Sequence, residues 1–344
     1  MTATNKDTII LGIESSCDDT SAAIIKNGVI FSNVVANQDV HKKYGGVVPE
    51  LASRAHQQNI IPVVDAALKK AQIDKKDLSA VAFTSGPGLL GSLLVGTSFA
   101  KSFAMGLNIP LINVNHMKAH ILAHFIQEPN NLKETPSFPF LCLTVSGGHT
   151  QIVLVKNHLE MQVVGETIDD AAGEAFDKAA KIMSLPYPGG PLIDKYAKEG
   201  DINKYKFPKP KVGEFEFSFS GLKTSFLNFI RKGVQQDEHF IQENLNDICA
   251  SIQHRIVSIL IEKIALAAKK YNIKDIAIAG GVSANSYLRS ELKNLAKNKN
   301  LNVFIPEFQY CTDNAGMIAI TGYYQYLAND FCDQTVVPEA RMKI

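Results

Sequence analysis

The chain is written twice, and this restricts it to folds assembled from two copies of one unit. ILGIESSCDDT at residues 10–20 leads into an apolar run closed by Lys26, Asn27 and Gly28. FLCLTVSGGHT at 140–150, 130 residues later, leads into QIVLV and Lys156, Asn157 and His158. Later in each copy a buried-strand pattern runs into glycines, VAFTSGPG at 81–88 against IAIAGGVS at 276–283, and a helical pattern follows. Asn27-Gly28 between apolar runs signals a tight hairpin, because both residues accept positive φ. Pro49 to Ala71, Leu89 to Leu107 and Leu245 to Tyr271 carry helical apolar spacing, the first after a proline suited to a first turn. Each copy then reads strand, strand, strand, helix, strand, helix, strand, helix. The expected fold is α/β, two duplicated lobes with mixed sheets flanked by helices.

A length of 344 residues suffices for two cores. The lobe boundary is expected in the polar, two-proline stretch 128–137, giving lobes at 1–130 and 138–344, the second with an insertion at about 187–243. A hydrophobic fraction of 46% with 20% charged residues is globular, and no segment approaches the ~18 uninterrupted apolar residues of a membrane span. No membrane partner is expected, and the short apolar run after MTATNKDT opens a strand rather than a secretory leader, so the expected location is cytoplasmic. The five cysteines form no CxxC pair, which argues against a thiolate zinc cluster. A net charge of +1 excludes a globally basic nucleic-acid binder but leaves room for a local patch. Lys204, Lys206, Lys209 and Lys211, interleaved with Tyr205 and Phe207, are the candidate patch or else a solvated loop.

His116 and His120 stand four apart, so a helix projects both imidazoles from one face. Asp313 occupies the equivalent junction in the second copy, and if the two lobes face each other the three converge as metal ligands that leave positions open. A zinc peptidase would need glutamate directly after the first histidine as general base; Met117 and Lys118 stand there instead. The turn at Val145, Ser146, Gly147 and Gly148 leaves backbone N–H groups unshielded for a phosphate or carboxylate, with a plain bulged hairpin as the alternative. Gly281 and Asn285 fall where a buried strand ends and a helix begins, another place for an anion. Asp170, Glu174 and Asp177 share a helical face, either solvated or turned toward ribose hydroxyls. Glu14 and Asp18 are the candidate proton acceptors near the first hairpin.

Together the segments ESSCDDT, HMKAH, TVSGGHT, DDAAGEAFDKAAK, YPGGP, FSFSGLKT, AGGVSAN and CTDNAG, in this order across nearly the whole chain, resemble the bacterial TsaD family, also called Gcp. The resemblance implies the actin and sugar-kinase (ribonuclease H-like) fold with an interlobe cleft. It implies transfer of the threonylcarbamoyl group of threonylcarbamoyl-AMP to N6 of the tRNA adenosine 3′ to the anticodon. By motif, His116, His120 and Asp313 match the ligands of one divalent metal ion per subunit, iron(II) most often, with zinc or magnesium as alternatives. Thr144, Val145, Ser146, Gly147, Gly148, Asp177, Gly190, Asp194 and Asn285 match positions that contact the nucleotide substrate. Implied partners are tRNA and the proteins TsaB and TsaE. Two rivals stay open: a small-molecule kinase or carbamoyltransferase of the same superfamily, and a nucleotide-gated scaffold without enzymatic activity.

Overall fold

The computed structural model describes residues 7–38, 41 and 44–344. The chain divides into two compact units: unit 1 comprises residues 1–135, 158–161 and 312–344, and unit 2 comprises 136–157 and 162–311. The division at Thr135 and Pro136 falls inside the expected boundary segment.

In unit 1, strands β1 (Ile9–Glu14), β2 (Thr20–Lys26) and β3 (Val29–Ala36) form an antiparallel meander. Asn27 and Gly28, at φ 52° and 81°, make the β2–β3 turn. Helix α1 (Pro49–Ala71) follows, then β4 (Ala80–Gly86), α2 (Leu90–Leu107), β5 (Leu111–Asn115) and the short α3 (His116–Leu122). The sheet order is β3-β2-β1-β4-β5, with β4 and β5 parallel to β1. Side chains alternate across this sheet. Leu11, Ile13, Val81 and Phe83 pack with Ile60, Val63 and Val64 of α1 on one face. Helix α2 is long and apolar enough to cross a membrane by length and composition, yet it packs on α1 and β4.

In unit 2, β6 (Phe140–Val145), β7 (Thr150–Val155) and β8 (Met161–Glu166) precede α4 (Ala172–Ile182), α5 (Gly189–Ala197), α6 (Ser220–Gln236) and the long α7 (Phe240–Tyr271). Then come β9 (Asp275–Ala279), α8 (Ser286–Lys299) and β10 (Asn302–Phe304). The sheet order β10-β9-β6-β7-β8 reproduces that of unit 1. Register matches too: Leu11 pairs with Val81 and Leu141 with Ile276, the equivalence read from the repeat. The insertion supplies α5 and α6, and its aromatic residues Phe207, Phe215, Phe217, Phe219 and Phe226 are core.

The last helix, α9 (Ala315–Leu327), differs from expectation. Expected within a 138–344 lobe, the segment from Thr312 belongs to unit 1, where α9 packs on β1, β2 and β4. Small residues make this close approach possible: a Cβ on Gly12 would lie 2.6 Å from the Ala315 carbonyl oxygen, and Gly322 rests against Ala82. Ile10, Gly12 and Ala82 thus face α9, opposite in alternation to Leu11, Ile13 and Val81.

Candidate metal centre and anion-binding turns

Alternation along β1 decides where Glu14 goes. It shares the face of Ile10 and Gly12, and is wholly buried. Thr84, the equivalent step along β4, donates its hydroxyl to Glu14 Oε2 at 2.7 Å, and the Ser16 amide donates to Oε1. At the end of β5, Asn115 caps α3 by accepting from the Met117 and Lys118 amides, so the helix starts at His116. Asn115 Nδ2 in turn donates to the Lys343 carbonyl at 2.9 Å, and Glu339 donates its amide to Ser85 O, so the C-terminal strand of chain braces this corner. Asp313 is set by the cap of α9, where Asn314 accepts from the Met317 amide.

The three expected ligands meet. His116 Nε2 lies 3.4 Å and His120 Nε2 3.2 Å from Asp313 Oδ1, and all three ligand atoms fall within 4.8 Å of one another. They meet inside unit 1, however, because Asp313 arrives with α9; the expectation that the ligands bridge two lobes is corrected by that packing. Two imidazole nitrogens and a carboxylate oxygen are a donor set suited to a divalent ion. His116 Nδ1 donates to Glu14 Oε2 at 3.0 Å, which turns Nε2 toward Asp313. His120 has no such support: its Nδ1 is buried without a hydrogen-bond partner among the described residues.

Burial opposes charge on His116, but the Asp313 and Glu14 carboxylates outweigh it and hold the imidazole well above its ordinary range. Burial alone would raise Glu14 and Asp313; the His116 charge pulls both below the usual carboxylate range instead. A divalent cation bound at these three ligands would have to displace that proton from the imidazole.

Glu14, expected as a proton acceptor, is therefore a positioning residue: its oxygens already accept from Ser16, Thr84 and His116. Asp18 is half-buried at the tip of the β1–β2 turn. Its neighbour Asp19, part of the same acidic cluster in the sequence but not among the candidate proton acceptors, is pushed up to about 7 by burial and by the Asp18, Asp313 and Glu14 charges. His56 holds this turn from below, with Nδ1 2.8 Å from Thr20 Oγ1 and Nε2 3.0 Å from the Cys17 carbonyl.

In unit 2 the positions expected to contact a nucleotide are linked by hydrogen bonds around the strand-end turn and the starts of α4, α5 and α8. Thr144 and Val145 are buried in the sheet between β7 and β9, so accessible groups begin at Ser146. Ser146 N donates to His149 O, Gly173 N donates to Ser146 O, and Ala172 N donates to Thr150 Oγ1, which pins α4 to the turn. A Cβ on Gly147, Gly148 or Gly281 would meet nothing within 4 Å, and none of the three has positive φ. Neither packing nor a left-handed backbone demands glycine there, and the three positions leave room for close approach by a ligand. Asp177 accepts from the Gly189 and Gly190 amides at the start of α5, and burial raises its pKa. Asp194 accepts from Ser286 N and Oγ, and Asn285 caps α8 while donating to Gln253 on α7. Asp170 and Glu174, read as ribose partners or solvated acids, are ion-paired with Lys178 at 2.6 and 2.7 Å.

The 204–211 segment does not have the surface its pattern promised. Phe207 is buried against Phe226 and Phe229, Tyr205 packs on Phe229, and Lys204 and Lys209 are ion-paired with Asp247 and Glu262.

Two sheets of identical order, each with its strand-end turn, define an α/β protein of the actin and sugar-kinase type. Solved structures agree at the level of fold. HypF from T. kodakarensis superposes with a TM-score of 0.62 at 14% identity, covering 94% of this chain and 48% of that one. The (R)-2-hydroxyglutaryl-CoA dehydratase component A of Acidaminococcus fermentans does so at 0.52 and 15%, covering 93% and 99%. Within that class the family is specific: residues 29–320 match the TsaD model, tRNA N6-adenosine threonylcarbamoyltransferase, and the chain belongs to this family. The protein of that name from Christiangramia forsetii is 63% identical over 334 residues, 97% of this chain and 98% of the relative. That from Porphyromonas gingivalis is 58% identical, covering 98% and 99%.

Proposed function

We propose that this chain transfers the threonylcarbamoyl group from threonylcarbamoyl-AMP to N6 of the tRNA adenosine 3′ to the anticodon, acting in the cytoplasm with TsaB and TsaE. The observation that carries the reading is the His116, His120 and Asp313 group with its Glu14 brace, in a chain of this family.

The donor is a mixed anhydride, already activated, so positioning and charge stabilisation are the work left to the protein. The N6 amine attacks the carbamoyl carbon; the C–N bond forms, the bond to the phosphate oxygen breaks, and AMP leaves with the electron pair. Exposed amides of Gly147 and Gly148, with the Ser146 hydroxyl beside them, hold the nucleotide's anionic part. Asp177 and Asp194 fix the first residues of α5 and α8, and so set Gly190 and Asn285 for contact with the nucleoside. Asp18, with its carboxylate at the turn tip, takes the proton from N6. His116, His120 and Asp313 would hold a divalent ion, iron(II) ahead of zinc or magnesium, which when bound would supply Lewis-acid charge stabilisation.

Reconstitution with tRNA, threonylcarbamoyl-AMP and the two partner proteins, followed by mass analysis of tRNA nucleosides, tests the reading. Threonylcarbamoyladenosine should appear with the wild type and be lost with His116→Ala, together with bound metal by elemental analysis. Modified nucleoside at wild-type level in that variant would overturn the metal's part. No modified nucleoside with the wild type would overturn the function.

A further inference from the structure

We propose that a groove on unit 2 beside α8 is a docking surface for tRNA, which stacks an unpaired base on Phe308 and sets backbone phosphates against Lys293 and Lys297. The proposal rests on the acyl-transfer reading and adds the surface that holds the polynucleotide.

The groove is shallow and open to solvent, with a volume of about 600 Å³, and is lined by Arg289, Lys293, Pro306, Glu307 and Phe308 among others. Phe308 is 66% exposed. Its position is nonetheless set. The Arg289 guanidinium lies 4.0 Å from the ring centroid, and Arg289 is itself held by the carbonyls of Ser283 and Pro306 at 2.7 and 2.8 Å and by Cys311 Sγ at 3.1 Å. A ring seated on an immobilised cation, with most of its surface open, is a prepared platform for a base.

Lys293 and Lys297 follow Arg289 at i+4 and i+8, so the three cations step along one face of α8 at about 6 Å intervals. Both lysines are exposed, and neither makes an ion pair among the described residues. The acid in the groove wall, Glu307, accepts from Gln309 Nε2 at 3.0 Å. The contrast with residues 204–211 is one of availability: there the aromatic rings are packed and two of the four lysines are ion-paired. An exposed aromatic beside a row of cations on α8 favours RNA over a protein partner, because lysine is depleted from protein interfaces, whereas looped RNA offers unstacked bases and phosphates together.

The test is fluorescence anisotropy of a labelled, unmodified tRNA transcript with the full chain and its partner proteins, across a salt series. Phe308→Ala should weaken binding about tenfold, and Phe308→Tyr, which keeps the stacking face, should bind as the wild type does. Lys293→Gln with Lys297→Gln should flatten the slope of log affinity against log salt by about one to two, one released counterion for each lost phosphate contact. All three variants should keep wild-type melting temperature, metal content and nucleotide binding. If the wild type binds and modifies tRNA while the alanine and glutamine variants match it in affinity and slope, the groove is not the docking surface. Loss of partner-protein capture with tRNA binding intact would reassign it to a protein and overturn the proposal. A wild type that neither binds nor modifies tRNA would overturn the acyl-transfer reading, and this proposal with it.

Discussion

The turn after the first strand of unit 1 and the turn after the first strand of unit 2 share a backbone and differ in chemistry. Glu14, Asp18 and Asp19 stand where Thr144, Gly148 and His149 stand, and the hairpins pair in the same register, Glu14 with Ser21 and Thr144 with Gln151. One turn collects carboxylates around a histidine pair; the other strips side chains away until the amides are bare. Duplication supplied two equivalent strand ends, and the residues placed on them give one end donors suited to a cation and leave the other, on the proposed function, to hold an anion.

The sharpest way to break this comparison is to remove charge from the first turn without changing its shape. Glu14→Gln should lower metal affinity about 10- to 100-fold, the usual cost of losing a group that orients a ligand, and activity should return with excess metal. Asp18→Asn should lower the single-turnover rate, with no rescue by metal. If Glu14→Gln stays inactive at saturating metal, Glu14 acts on the substrate directly and its role as a brace is wrong.

A smaller effect is expected in the second turn. Gly148→Val should weaken nucleotide binding about tenfold by calorimetry at unchanged melting temperature, since a Cβ there meets open space. Gly173→Ala is the counterpart: its Cβ would lie 2.5 Å from the Ser146 carbonyl oxygen, and overpacking of that kind costs about 1–3 kcal/mol of stability. Loss of stability in Gly148→Val would make that glycine structural and remove the contrast.

The smallest effect concerns Asp19, raised from 3.8 to about 7. The folded state holds this proton more tightly than the unfolded one. The stability so gained is complete below about pH 4 and is lost as pH rises through 7. Urea melts of metal-free Asp19→Asn should therefore show a gain over the wild type, of the order of 1 kcal/mol after allowance for solvent screening, at pH 8 and a smaller one at pH 5. An equal difference at both values would show that Asp19 does not titrate in this range.

Much of the fold was legible because the repeat preserves pairing: matching 81 with 276 on sequence is the register the two sheets adopt. The ligand trio was legible too, from helical spacing and the place of Asp313 in the repeat. What could not be read is where α9 packs. Its contact with Gly12 and Ala82 joins residues some 300 and 240 positions apart, and small residues mark many surfaces besides a helix seat. The parity of Glu14 with Ile10 and Gly12 did carry a signal, a carboxylate on the buried face of a strand, that points to a partner such as His116. The alternating Lys204 to Lys211 stretch misled because cations outside and rings inside is also how an extended segment straps itself to a core.

The return of α9 to unit 1 has a consequence for how the protein is made. On the ribosome, His120 emerges 193 residues before Asp313. At about 5–20 residues per second that is an interval of roughly 10–40 s, during which the first sheet is exposed on the face that α9 will cover. The half that is synthesised first is thus the half that is finished last, and the three candidate metal ligands come together only as translation nears its end.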